Sequence, residues 1–247
     1  MRIVSSALCE TGKKRKINQD AIYSVYSDRW GFFAVADGMG GHERGEYASG
    51  QVIQALRRWM EQFPRLEEID TPEIVRRLKG VLAEANDRIK AETSAGMLCG
   101  CTVVVLVLVR KECILITAGD SRCYELRGEV PGETPSQLTV DDVVGGDGPH
   151  RNRLTNAVGI KSPLICRRRV LPFEGVHRFL ICTDGVYKYC TAPQLASVLK
   201  KTGENTVDDS LLELQSCVEA NGAGDNYSAF LIWAKSGKEC GGRKHGI

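Results

Sequence analysis

The apolar positions of this chain repeat with two periods, and their order predicts its elements. Ile3 to Leu8 reads as a first strand. Glu10 to Gln19 is polar and basic, hence a loop. Ala21 to Tyr26 and Phe32 to Ala36 read as a hairpin that turns at Ser27 to Arg29. Helical spacing then takes over. Ala48, Val52, Leu56, Trp59 and Phe63 predict a helix from about Glu43 to Phe63, and Ile74, Leu78, Leu82, Ala85 and Ile89 predict a second. The second helix opens at Thr71-Pro72, with Thr71 as its cap and proline at the first helical position. Three strands follow, Thr102 to Val109, Cys113 to Ala118 and Cys123 to Leu126. Their short connections predict an antiparallel meander. Residues 128 to 153, rich in Gly, Pro, Asp and Thr, predict a loop. Strands near Cys166 to Leu171 and His177 to Cys182 come next. Thr191-Ala-Pro-Gln194 has the form of a capping box and opens a helix to about Lys200. A last helix, about Val207 to Ala220, presents Leu211, Leu214 and Val218 before a closing strand, Tyr227 to Ala234. The tail from Ser236 to Ile247 is Gly- and Lys-rich and predicts fraying. Strands, two helices, strands, two helices and a strand make an α+β chain, with antiparallel sheets and helices packed outside.

Composition removes several function classes. The chain has 247 residues and a net charge of +2, so nothing global argues for nucleic acid. The basic clusters Lys13 to Lys16 and Arg167 to Arg169 are short, and such runs are usually solvated faces. No apolar stretch nears the ~20 residues that span a bilayer. The N-terminus carries no signal-peptide core. Of the ten cysteines, most lie in apolar runs, where Cys behaves as a small hydrophobe. No Cys-x-x-Cys pair is present. These features predict reduced thiols and a cytoplasmic protein without membrane association.

The chemistry lies at strand ends. Phe32 to Ala36 runs into Asp37-Gly38, Cys113 to Ala118 into Gly119-Asp120, and Phe179 to Thr183 into Asp184-Gly185. Gly224-Asp225-Asn226 precedes the closing strand. One Asp-Gly pair is normally a solvated turn. Four carboxylates beside glycines at strand ends predict a common rim, and carboxylates so close repel unless a cation neutralises them. An all-oxygen set selects Mg²⁺ or Mn²⁺ over Zn²⁺. Two such ions about 4 Å apart would activate water and clamp a phosphoryl group. Phosphate would then need a guanidinium fork, for which Arg15 is the candidate; from position alone it equally reads as a surface residue in a basic loop. Two other phosphate motifs fail here. A dinucleotide fingerprint needs glycine at Glu43, and a Walker A loop needs lysine at Glu46.

In chain order, Arg15-Lys-Ile-Asn-Gln-Asp20, Val35-Ala-Asp-Gly-Met-Gly-Gly-His42, Gly100-Cys-Thr102, Gly119-Asp-Ser-Arg122, Leu154-Thr-Asn-Ala-Val-Gly159, Thr183-Asp-Gly-Val186 and Gly224-Asp-Asn226 resemble the metal-dependent protein phosphatases of the 2C type. The resemblance runs from about Ser6 to Ala234, and the Asp-Gly-Met-Gly-Gly form resembles the bacterial branch. It implies a four-layer αββα sandwich, two antiparallel sheets flanked by antiparallel helix pairs, with residues 1–235 as a single monomeric catalytic domain and 236–247 as a disordered tail. It implies hydrolysis of phosphoserine and phosphothreonine by direct attack of a metal-bridging hydroxide, reversing a bacterial Ser/Thr kinase. By the same resemblance Asp37 bridges both metals, and Asp184 and Asp225 ligate the first. Gly38 offers its carbonyl to the second, and Asp20 holds metal-bound water. Asp120 holds a third, weaker ion, Arg15 binds substrate phosphate, and Asn226 supports the Asp225 loop.

The sequence departs from the family at three places. Met39 stands where many relatives have a histidine proposed as general acid, and His42 reads as a helix-start residue, which leaves protonation of the leaving group to metal-bound water. Lys188 stands where an acid often helps the third ion, and could instead reach Asp120 or solvent. The segment 139–153 is too short for a full helical flap over the site. A catalytically silent binding module and a small-molecule phosphomonoesterase are the competing functions.

Overall fold

The computed structural model describes residues 1–40, 44–63, 65–92, 99–128, 133–145 and 153–237. The strands are β1 Arg2–Glu10, β2 Asp20–Tyr26, β3 Trp30–Gly40, β4 Cys99–Cys101, β5 Val103–Val109, β6 Glu112–Ala118, β7 Arg122–Arg127, β8 Ser136–Gln137, β9 Arg167–Pro172, β10 Val176–Cys182 and β11 Tyr227–Lys235. The helices are α1 Arg44–Gln62, α2 Thr71–Glu92, α3 Asp184–Tyr187, α4 Ala192–Lys201 and α5 Val207–Ala220, with one 3₁₀ turn at Leu66–Glu68.

All pairings are antiparallel. One sheet runs β1-β11-β10-β7-β8 and the other β2-β3-β5-β6-β9, with β4 added to the far end of β3. Alternation along each central strand shows why they stack. In β5, Val103, Val105, Val107 and Val109 face α1 and α2, while Val104, Leu106 and Leu108 face the other sheet. A strand covered on both faces reads as a continuous apolar run. The inter-sheet core adds Phe33, Val35, Leu115, Phe179, Ile181, Phe230 and Ile232. On the opposite outer face, Leu195, Val198 and Leu199 of α4 and Leu211, Leu214 and Val218 of α5 pack over Leu180, Leu231 and Trp233. The result is α+β, with two antiparallel sheets between helix pairs.

Four details differ from the sequence reading. The three central strands are no meander: β5 and β6 pair, but β7 leaves for the other sheet and pairs β10. β3 does not stop at Ala36. It continues through Asp37-Gly38-Met39-Gly40, because β4 pairs Gly38 with Cys101 and Gly40 with Cys99. Asp70, not Thr71, caps α2: its Oδ1 accepts the Glu73 N–H at 2.8 Å, and Thr71 is already helical. The turn α3 was not anticipated. The capping box at Thr191 is present, with Gln194 Oε1 accepting the Thr191 N–H at 2.8 Å. The predicted start of α1 at Glu43 and the tail from residue 238 onward lie outside the described residues. Among the described residues no helix is long and apolar enough to cross a membrane.

Candidate metal centre and active site

A cavity of about 420 Å³ opens at the end of the sandwich where β3, β6, β10 and β11 begin or finish. Asp37, Asp120, Asp184 and Asp225 line it together with Gly38, Asn226 and Arg15. Asp20 stands just behind: it is the antiparallel partner of Asp37, so the two side chains leave adjacent strands on the same face.

Each carboxylate is fixed differently. Asp37 is held by Thr102, whose Oγ1 accepts the Asp37 N–H at 3.1 Å and whose own N–H donates to the Asp37 carbonyl at 2.9 Å. Thr102 Oγ1 also lies 2.7 Å from Ser121 Oγ. Asp20 Oδ2 accepts the Thr183 hydroxyl at 2.9 Å. Asp120 follows Gly119, whose N–H donates to buried Asp142 Oδ2 at 3.2 Å. The Tyr187 hydroxyl donates to the Asp120 carbonyl at 3.1 Å and lies 3.3 Å from its Oδ2. Arg122 stacks over the Tyr187 ring at 3.7 Å and forks onto Asp141. Asp184 opens α3, and Lys188 Nζ donates to its Oδ2. Asp225 receives Arg15 through two contacts, Nε to Oδ1 at 2.8 Å and Nη2 to Oδ2 at 2.9 Å.

Asn226 does more than support its own loop. Its side-chain nitrogen donates to the carbonyls of Thr11 at 2.8 Å and Ile17 at 2.9 Å, and its Oδ1 accepts the Gln19 N–H at 3.0 Å. It therefore pins the segment that carries Arg15. Gly38 is needed for close approach. A Cβ there would stand 2.1 Å from the Gly45 carbonyl oxygen and 2.5 Å from that of Gln19.

The electrostatics are unfavourable as the side chains stand. Burial, then the charges of Asp20, Asp184, Asp120 and Asp225, push the Asp37 carboxyl well above its ordinary range. Burial with Asp184 and Asp225 pushes Asp20 up to about 7, against the lowering effect of the nearby Ser228 and Thr183 hydroxyls. Burial and Asp184 push Asp120 up to about 6. Among the described residues, Asp20 Oδ1 is buried with no hydrogen-bond partner, a position that costs free energy unless a donor or cation meets it. Five carboxylates face two directly paired cations, Arg15 and Lys188. Among the described residues no three acidic, His or Cys side chains converge closely enough to hold an ion as they stand. Asp184 and Asp225 are turned toward Lys188 and Arg15 instead. The donor set nevertheless fits a hard divalent cation: all oxygen, excess negative charge, and one orphaned carboxylate oxygen.

A family model described as protein phosphatase 2C matches residues 12–228. This chain belongs to the protein phosphatase 2C family. Among curated relatives of this phosphatase, protein phosphatase PhpP of Streptococcus pneumoniae is 27% identical and aligns over 92% of this chain and 96% of its own. Among solved structures, PppA of Pseudomonas aeruginosa, described as a key regulatory component of T6SS, superposes with a TM-score of 0.78 at 28% identity, covering 94% of this chain and 97% of its own. The catalytic domain of the serine/threonine protein phosphatase PstP in complex with two manganese ions superposes with a TM-score of 0.76 at 26% identity, covering 93% and 97%.

Several residues in and behind the cavity escaped the sequence reading. Thr102 stood in a quoted motif without a role; nothing local signals that its hydroxyl holds Asp37. Thr183, Tyr187 and Ser121 act through contacts made only in three dimensions. Arg153, Leu154 and Ile160 also line this phosphatase's cavity. Of the segment 139–153, residues 139–145 and 153 are described and non-helical, closed at the base by the Val143–Leu154 bridge. The other residues of that segment, and His42, lie outside the described residues.

Proposed function

We propose that this phosphatase is a divalent-metal-dependent serine/threonine protein phosphatase that acts on phosphoproteins and reverses a Ser/Thr kinase. The observation that carries the reading is the convergence of Asp37, Asp120, Asp184 and Asp225 on one cavity, with Asp20 behind them and a guanidinium among its walls. Asp37, Asp184, Asp225, Asp20 and the Gly38 carbonyl would hold two Mn²⁺ or Mg²⁺ ions. Bound there, such ions supply an activated water and offset the charge of the phosphoryl oxygens.

The chain's own residues do the rest. Arg15, half exposed with its Nε and Nη2 on Asp225, would turn its guanidinium to a phosphate. Asn226 fixes the loop that delivers it. Thr102 and Thr183 set the orientations of Asp37 and Asp20 before substrate arrives, which preorganises the charge. Among the described residues that line the cavity, none is a histidine. Arg15 and Asp225 come from opposite ends of the chain, which makes residues 1–235 one catalytic unit in this reading.

Two measurements test it. The phosphatase should hydrolyse a phosphothreonine peptide with a kcat/KM at least ~10-fold above that for p-nitrophenyl phosphate, because remote contacts add binding energy only for the peptide. A reversed preference would make it a small-molecule phosphomonoesterase, and no hydrolysis of either would make it a binding module. Arg15→Ala should raise the peptide KM about 10-fold and change kcat less, the loss of a charge-assisted bidentate contact made with ground state and transition state alike. An unchanged KM would place phosphate binding elsewhere.

A further inference from the structure

One turn of the fold clamps one side of the cavity. In α3 and the residue after it, Asp184, Tyr187 and Lys188 are set by a single helical turn, with the Lys188 N–H donating to the Asp184 carbonyl at 2.9 Å. Position i+4 brings the Lys188 ammonium back over Asp184, where it donates to Oδ2. Its neighbour Tyr187 holds Asp120. Lys188 lines the cavity, and the charges it meets are Asp184 first, then Asp120 and Asp37.

The two sides of the cavity therefore differ. On the Asp120–Asp184 side, a cation and a hydroxyl of this chain already meet the carboxylates. On the Asp20–Asp37 side, the partner is a neutral one, the Thr183 hydroxyl donating to Asp20 Oδ2. Asp225 has its own partner in Arg15, but that arginine comes from a loop and is half exposed. Lys188 is tethered to the same turn as the carboxylate it touches.

We propose that Lys188 is a positioning residue that sets how many divalent ions the cavity takes: its ammonium occupies the Asp120–Asp184 side as a built-in cation and keeps a further divalent ion out. The proposal rests on the metal-dependent reading above and adds to it the ion capacity of this chain. Lys188 holds Asp184 through one carboxylate oxygen, Oδ2, and it needs no contact with substrate to act. A divalent ion placed between Asp120 and Asp184 would have to displace the ammonium and then sit beside it, so both pairing and repulsion oppose it.

The test counts ions directly. Free Mn²⁺ is measured by its six-line electron paramagnetic resonance signal while metal-free protein is titrated. Lys188→Met keeps the length and removes the charge, and it should bind one Mn²⁺ more per chain than the unsubstituted protein, or bind its weakest ion at least ~10-fold more tightly. Lys188→Arg, which keeps the charge, should match the unsubstituted protein. Adding Asp120→Asn to Lys188→Met should cancel the gain, because Asp120 is the carboxylate freed to take the ion. An unchanged isotherm for Lys188→Met, a gain in Lys188→Arg as large as in Lys188→Met, or a gain that survives Asp120→Asn would each overturn the proposal while leaving the metal-dependent reading intact. Mn²⁺ binding by none of the proteins would overturn that reading and this proposal with it. Circular dichroism of each variant confirms a folded chain; Lys188 is half exposed, and its replacement leaves no buried cavity.

Discussion

Asp37→Asn should lower kcat/KM for a phosphothreonine peptide by about 10³-fold, the equivalent of about 4 kcal/mol of lost transition-state stabilisation. It should do so without unfolding the chain. Asp37 stands where four other carboxylates concentrate their charge, and all four act to keep it protonated. A group so placed contributes nothing to the stability of the metal-free protein through its charge; it is the group that a cation would stabilise most. An isosteric amide keeps the Thr102 contacts, which are made by the Asp37 backbone, and removes the charge. In EDTA the variant should therefore melt no lower than the unsubstituted protein. Added Mn²⁺ should raise the melting temperature of the unsubstituted protein by mass action and raise that of Asp37→Asn much less. Near-normal turnover in Asp37→Asn, or an equal Mn²⁺ shift, would remove Asp37 from the centre of the site.

Gly38→Ala is the change with the largest expected effect on the fold. The added Cβ would meet the Gly45 carbonyl oxygen at 2.1 Å, its carbon at 2.4 Å and the Gln19 carbonyl oxygen at 2.5 Å. All three are backbone atoms, so no side chain can rotate away. The start of α1 and the end of the 11–19 loop must both retreat from β3. Overpacking of this kind costs about 3 kcal/mol, which corresponds to a melting-temperature loss of roughly 6–12 °C for a chain of this size. The retreat also breaks the Gly38 N–H to Gln19 carbonyl bond of 3.0 Å, next to Asp20 and Asp37. Activity should fall with stability, and added Mn²⁺ should restore little of it. A melting temperature within 2 °C of the unsubstituted value would mean that the helix start yields more easily than its contacts indicate.

The elements that alternate or repeat strongly were legible in the sequence because their periodicity is a consequence of which faces are covered. β5 is the clearest: seven apolar residues in a row required cover on both faces, and the structure supplies helices on one and a sheet on the other. The fate of β7 was not legible. Its partner β10 lies some 50 residues further on, and nothing in Arg122–Arg127 distinguishes pairing with β6 from pairing with β10. The extension of β3 through Gly40 was hidden for a similar reason, since two glycines and an aspartate extend only because β4 pairs with them. In the site, Asp37, Asp120, Asp184 and Asp225 stood out as carboxylates beside glycines at strand ends. Asp20 and Asn226 came only through family resemblance, because an Asp at a strand start and an Asn in a loop are common. Lys188 was visible as a departure, but its partner was not. The i+4 geometry that gives it to Asp184 depends on α3, a turn too short for periodicity to reveal.

The central claim is that this cavity hydrolyses phosphoprotein esters through bound divalent cations. The most direct measurement is phosphate release from a phosphothreonine peptide by purified protein, first in EDTA and then with Mn²⁺ or Mg²⁺ in excess. The account predicts no release above background in EDTA and full recovery on adding Mn²⁺. Release that persists undiminished in EDTA, or a folded protein that stays inactive with either metal, would contradict it.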